Sequence, residues 1–340
     1  MPRLGILGTM VWDTIHARDV GREAPVEEWG GIAYALAAAD AALGDEWSIF
    51  PIIKVGRDLR ERANAFFGSL ARIGSLDGVR SVPEPNNRVE LFYQRSERRC
   101  EKLTGGVPRW TAEELLPLAR SCDALYVNFI AGWELDLAAS VALGAAFDGP
   151  LYCDVHSLLL GVGPDGVRVL RPLDDWRAWL ACFDIVQLNE DELGMLAGGR
   201  DDPLAIVAGA LGDRPGAIVV TLGERGAAWV ATRAFRDDPV PARRRTGALR
   251  TTGGPLLSGK VEGEATVEAP DPTGCGDVWG ATCFSVLLGG AGLEGAMRRA
   301  NAAAGRNAAY RGASGLSEYL RSPTGLVTGG ADERKGRAPG

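Results

Sequence analysis

A glycine-rich heptapeptide, Asp271-Pro-Thr-Gly-Cys-Gly-Asp277, runs directly into an Ala/Val/Leu-rich stretch from Val278 to Leu288. Three properties of this segment meet in one chemistry. Gly274 and Gly276 let the backbone turn tightly and aim successive N–H groups, that of Cys275 among them, into one concavity. The N-terminus of the following helix adds partial positive charge and free N–H donors, which suits a phosphate. Asp277 stands at that helix start, where its carboxylate could take a proton from a hydroxyl lying beside the phosphate. The segment reads either as a phosphoryl-transfer site with Asp277 as base, or as a Gly-rich turn closed by a capping Asp.

Two further clusters have residue types that fit such a site. In Asn189-Glu-Asp-Glu192, Asn and Glu three apart at a helix start could hold a hydrated Mg²⁺ through its waters. The same acidic run also suits a helix N-terminus with no metal at all. Ile218-Val-Val-Thr-Leu-Gly-Glu-Arg-Gly226 is a strand followed by a glycine turn, and alone it says little more. The two histidines, His16 and His156, are too few and too far apart for a metal cluster. Trp12, Trp29, Phe92, Tyr93 and Trp133 could line an apolar pocket for a ring, or belong to the core.

Composition excludes several classes. The net charge of −7 argues against a nucleic-acid partner, and the one basic cluster, Arg243-Arg244-Arg245 with Arg250, is short. The six cysteines form no C-x-x-C pair and no zinc spacing, so free thiols in a reducing cytoplasm are expected. No run of 18 apolar residues suggests a membrane span, and the N-terminus reads as a strand without signal-peptide features.

The elements that must position these residues follow a clear rhythm. Short apolar strands are expected at Leu4–Leu7, Trp47–Ile53, Ala124–Phe129, Leu151–Asp154, Ile185–Leu188 and Ile218–Thr221. Helices are expected between them, at Ile32–Leu43, Leu59–Ile73, Ala112–Arg120, Leu135–Phe147, Asp174–Ala181, Glu190–Leu196 and Pro203–Leu211. Alternation of this kind implies a mostly parallel sheet covered on both faces. Asn87–Leu103 breaks the rhythm with alternating β-formers and many charges, and with parts of Trp12–Trp29 it is assigned to a small β lid. The domain is expected to span 1–322, with a loop carrying short strands at Asp237–Pro255 and a frayed polar tail over 323–340.

With these motifs in place, the sequence resembles the ribokinase-like (phosphofructokinase-B type) carbohydrate kinase family across most of its length. D-P-T-G-C-G-D-V-W-G is similar to the family signature D-T-x-G-A-G-D-x-F, with Pro272 and Cys275 as departures. The resemblance implies a three-layer α/β/α fold with a β lid. It also implies an ATP-dependent transfer of the γ-phosphoryl group to a small sugar-like hydroxyl, with Asp277 as base and the Gly274, Cys275 and Gly276 backbone as anion hole. It places Thr221, Gly223 and Gly226 beside the nucleotide and Asn301 near the adenine. Asn189 and Glu192 would serve Mg²⁺ through water, and a monovalent cation near Asp271 belongs to the same picture. For the acceptor it points to Asp13, Gly30 and Gly31. The family pattern G-G-x-x-x-N puts Asn where this chain has Ala35, which leaves the acceptor open between a sugar, a sugar acid and a nucleoside. A catalytically silent sugar- or nucleotide-binding regulator is the remaining alternative. Relatives that pair lids make a homodimer an expectation of the resemblance.

Overall fold

Residues 1–16, 25–93, 99–237, 239–240, 255–263 and 271–322 are described by a computed structural model. The expected tail over 323–340, most of the 237–255 loop with its arginine cluster, and the middle of the 12–29 lid segment lie outside the described residues.

Fourteen strands and eleven α-helices follow one another among the described residues. The strands are β1 (Arg3–His16), β2 (Val26–Gly31), β3 (Ser48–Gly56), β4 (Val79–Val82), β5 (Arg88–Tyr93), β6 (Arg99–Thr104), β7 (Ala124–Asn128), β8 (Leu151–Asp154), β9 (Leu160–Val162), β10 (Arg168–Leu170), β11 (Ile185–Asn189), β12 (Ala217–Thr221), β13 (Ala227–Thr232) and β14 (Leu256–Val261). The helices are α1 (Ile32–Ala42), α2 (Arg60–Gly68), α3 (Ala112–Ala119), α4 (Leu137–Ala146), α5 (Trp176–Leu180), α6 (Glu190–Ala197), α7 (Pro203–Ala208), α8 (Arg233–Asp237), α9 (Cys275–Leu288), α10 (Leu293–Asn307) and α11 (Leu316–Arg321).

The central sheet has the order β14-β13-β12-β11-β8-β7-β1-β3-β4. From β12 to β4 neighbouring strands are parallel, while β13 and β14 close one edge as antiparallel strands. The parallel strands are buried on both faces because alternate residues feed two separate cores. Leu4, Ile6, Tyr126, Tyr152, Ile185 and Val219 face α1, α9, α10 and α11. Leu7, Leu125, Val127, Cys153, Val186 and Val220 face α3 to α7. This is the three-layer α/β/α arrangement, and it explains why the strands read as continuous apolar runs.

Several elements stop short of their sequence limits. The stretch expected to be helical over Leu59–Ile73 forms α2 only to Gly68, and the one over Pro203–Leu211 ends as α7 at Ala208. The largest departure is β1. Expected to cover four residues, it runs for fourteen. Its first half, to Thr9, pairs with β3 and β7 in the central sheet. From Met10 to His16 it instead pairs with β2 on one side and β5 on the other, and β5 pairs with β6. The lid is therefore a four-stranded sheet grown from the end of a core strand, and β5 and β6 make no ladder with the other central strands. The β9–β10 hairpin docks on β6 through the Lys102–Val167 bridge and the bond from Leu103 N–H to the Gly166 carbonyl.

Candidate active site

In a parallel sheet of this kind ligands gather beyond the carboxyl ends of the strands, and here those ends are polar. β7 ends at Asn128, β8 at Asp154, β11 at Asn189 and β12 at Thr221. Register sets Asn128 beside Asp154, and Asn189 beside Thr221. Above this row sits the start of α9. Gly274 holds φ at +72°, and a Cβ there would lie 2.4 Å from the Tyr34 ring of α1, so only glycine lets the turn lie flat on that ring. Asp277 follows in the first turn of α9.

The Asp277 carboxylate is oriented by a residue the sequence did not single out. Asn128 Nδ2 donates to Asp277 Oδ1 at 2.6 Å, and Asn128 is fully buried. Behind the glycine turn, Gln187 Nε2 donates to both the Gly276 carbonyl (3.0 Å) and Asp154 Oδ2 (2.9 Å), and Tyr152 donates to Gln187 Oε1. The Cys275 thiol faces the carbonyls of Asp271 (3.8 Å) and of Ala304 in α10 (3.5 Å), and Asn307 Nδ2 donates to it at 3.4 Å. Asp271 Oδ1 accepts from Thr273 N–H at 3.0 Å.

Asp277 shares one pocket with Asp13, Gly31, Tyr34, Asn87, His156 and Arg168. Asp13 is buried on the lid half of β1, and its carboxylate lies so close over Gly30 that a Cβ there would sit 1.8 Å from Oδ2. Gly31 caps α1 at φ +59°. Lid residues Val89, Leu91 and Leu103 give the pocket an aliphatic wall. Arg168 donates to the carbonyls of Ala131 (2.7 Å) and Ile130 (3.3 Å), and buried Glu134 holds the same loop through the N–H groups of Ala131 and Gly132. None of Trp12, Trp29, Phe92 and Trp133 lines this pocket. Trp12 and Trp29 pack edge to face at 5.0 Å, Phe92 stacks on His16, and Trp133 Nε1 donates to the Val107 carbonyl.

Asn189 and Glu192 form a capping box at the start of α6. Asn189 Oδ1 accepts from Glu192 N–H at 2.9 Å, and Glu192 Oε2 accepts from Asn189 N–H at 2.8 Å. Glu192 is buried, and its Oε1 lies 2.6 Å from both Asn189 Nδ2 and His156 Nδ1. Among the described residues no three His, Cys, Asp or Glu side chains converge as a metal cage. A Glu192 carboxylate with three bonds already made leaves at most an outer position, so this donor set fits a hydrated Mg²⁺ brought in on phosphate and not a directly bound ion. Thr221, Gly223 and Gly226 bring the glycine turn after β12 next to Asn189; Gly223 and Gly226 hold φ at +59° and +85°. The Asn301 side chain accepts from Trp279 Nε1 (2.7 Å) and donates to the Val261 and Glu262 carbonyls, so it ties α10 to α9 and to the end of β14.

The His156–Glu192 pair sets a pH dependence. Burial disfavours the imidazolium, but the bond and charge of Glu192, with Asp154 behind it, outweigh burial and raise the His156 pKa to about 9. Burial, reinforced by the Glu192 charge, also raises the Asp154 carboxyl to about 8. Both groups bind more protons folded than unfolded, so stability falls as pH rises. The histidine contribution is complete below about pH 6.5 and disappears as pH passes about 9. Differential scanning fluorimetry should show a melting temperature that declines from pH 6 to 9.5, and His156→Gln should flatten the upper part of that decline. A profile identical in the variant would remove His156 from the balance.

Residues 165–318, which contain the Asn189, Thr221 and Asp277 segments, match the family model of the pfkB family carbohydrate kinases. The described fold also superposes on solved ribokinases over nearly its whole length. The chain has the ribokinase-like fold of the pfkB carbohydrate kinases. The ribokinase of Arabidopsis thaliana, solved with ribose and ATP, covers 94% of this chain and 99% of its own, at 18% identity and a TM-score of 0.64. An Escherichia coli protein described as a putative ribokinase II, solved with ATP and Mg²⁺, covers 93% and 96% at 16% identity and a TM-score of 0.68. A Burkholderia thailandensis nucleoside kinase, solved with inosine, covers 93% and 93% at 16% identity and a TM-score of 0.64. No curated protein matches the sequence significantly. No helix among the described residues of this ribokinase-like chain is long and apolar enough to cross a membrane.

Proposed function

We propose that the protein transfers the γ-phosphoryl group of ATP to a hydroxyl of a small sugar-like acceptor, with Asp277 as general base. The observation that carries this reading is Asp277 itself. Its carboxylate stands three residues beyond the left-handed Gly274, pinned by Asn128, in one pocket with the Asp13 carboxylate. In this reading Asp13 accepts an acceptor hydroxyl, with Gly30 and Gly31 letting the substrate approach the backbone. Asp277 takes the proton from the attacking hydroxyl. The N–H groups from Gly274 to Asp277, at the positive end of α9, face the charge that gathers on the transferring group. Thr221, Gly223 and Gly226 line the nucleotide side, and Asn301 acts there by fixing the β14 end. MgATP supplies the phosphoryl group together with a cation that neutralises its charge.

A sugar is favoured over a nucleoside because the lid side of the pocket is aliphatic, from Val89, Leu91 and Leu103, and Trp12, Trp29, Phe92 and Trp133 do not line it, although Tyr34 and His156 do on the core side. The free thiols Cys122, Cys153, Cys182 and Cys283 suit a reducing cytoplasm. The test is ATP turnover with a panel of sugars, sugar acids and nucleosides. Turnover only with nucleosides would move the acceptor class, and turnover with none would leave a binding protein.

Glu192 offers a narrower test. With an outer role toward Mg²⁺, Glu192→Gln should shift the Mg²⁺ dependence of the rate to higher concentration. An unchanged Mg²⁺ curve would confine Glu192 to its capping box and its His156 contact.

A further inference from the structure

Asn87 is fully buried at the entrance to β5, where its backbone carbonyl accepts from Trp12 N–H at 3.0 Å and from Asn86 Nδ2 at 3.0 Å. Its side chain cannot turn freely. Oδ1 accepts from Val107 N–H at 3.2 Å, and a Cβ on Gly105 would come within 2.8 Å of the same oxygen. That bond assigns the amide, since the atom facing Val107 N–H must be the oxygen. Nδ2 has no hydrogen-bond partner among the described residues, although Asn87 lines the pocket that holds Asp13 and Asp277. A buried donor left unpaired is costly, and such groups in folded proteins call for an explanation. Position 35, inside α1, offers no amide of its own, being a fully buried alanine.

We infer that Asn87 is a specificity-determining residue that donates from Nδ2 to an oxygen of the acceptor. The inference rests on the pocket being the acceptor site. An amide N–H₂ only donates, whereas the Asp13 carboxylate only accepts. The register that pairs Asp13 with Val89 sets Asn87, two residues before Val89, at the mouth of the strand that runs beside Asp13. A donor beside an acceptor reads a pair of neighbouring hydroxyls: one donates a hydrogen bond to Asp13, and the other accepts one from Asn87. The ligand class is a polyol or furanose with adjacent hydroxyls, held by the lid on the face opposite the base.

Two variants separate this role from a structural one. Asn87→Asp keeps an oxygen for Val107 N–H and removes the donor; Asn87→Leu removes the donor without adding charge. Calorimetry on the full chain would use D-ribose, D-fructose, D-glucose and inosine as probes, with ATP titrated separately. At least one probe should bind the wild type, and both variants should bind it about tenfold or more weakly. ATP affinity of Asn87→Asp should not change, while its melting temperature should fall somewhat because the new carboxylate is buried. If the Leu variant fails to fold, the Asp variant decides. Binding of every probe at wild-type strength by Asn87→Asp would overturn the inference, as would a parallel loss of ATP binding. The kinase reading fails separately: a wild type that binds a probe but turns over no ATP with it would sink phosphoryl transfer and leave the Asn87 assignment standing.

Discussion

Asp277→Asn should lower kcat by at least about two orders of magnitude while leaving the protein folded, because removing a general base typically costs about 10²–10⁴ in rate. The substitution is nearly isosteric and can still stand opposite Asn128 at the start of α9. It cannot accept the proton. ATP affinity and melting temperature should therefore stay close to wild type, and single-turnover kinetics should place the loss in the chemical step. An Asn variant that keeps most of its activity would reduce Asp277 to a helix-capping residue. If that variant unfolds, Asp277→Glu is the next measurement, since it restores the base at the cost of its position.

Gly274→Ala should do comparable damage by a different route. The left-handed conformation at φ +72° costs a non-glycine residue about 1–2 kcal/mol. The added methyl would also lie 2.4 Å from the ring of buried Tyr34, an overpacking that typically costs about 1–3 kcal/mol. Thermal unfolding should move down by several degrees. If the turn relieves the clash by rotating, the N–H groups behind it lose their aim, and kcat should fall by about 10²–10³, as for a lost oxyanion donor. Tyr34→Ala in the Gly274→Ala background should then be less destabilising than in the wild type, because the two side chains compete for one space. Full activity in Gly274→Ala would show that these N–H groups do not act on the transferring group.

The six inner parallel strands of the central sheet were legible because both their faces are buried, which makes Leu151–Asp154 or Ile185–Leu188 an unbroken apolar run with one interpretation; the edge strands β4, β13 and β14 were not expected, and β4 and β14 are partly exposed. The lid half of β1 was not, because Trp12-Asp-Thr-Ile-His mixes burial and polarity as any loop does. Only pairing with β2 and β5 makes it a strand. The site divides in the same way. Gly274, Gly276 and Asp277 are close in sequence and so carry their own signal. Asn128, His156, Arg168 and Asn87 are single polar residues whose meaning arises only when distant segments converge. Part of that was within reach, since Asn128, Asp154, Asn189 and Thr221 each close an apolar strand, the position where α/β sheets place their ligands. The hydrogen bonds of Asn301 to Trp279 and to the β14 end carried no comparable mark.

One uninterrupted strand joins the two sheets, and it acts as a lever. Thr9 is the last residue of β1 paired with β3, and Asp13, four residues on, is carried in the lid ladder with Glu28 and Val89. Four residues of strand span about 13 Å, so tilting the lid by about 10° about Thr9 displaces the Asp13 carboxylate by about 2 Å. Asp277 stays with the core, since α9 packs on α1 and α10. A 2 Å displacement is enough to break a hydrogen bond. The angle of the lid thus sets the spacing between the two carboxylates, and an acceptor that reaches both fixes that angle.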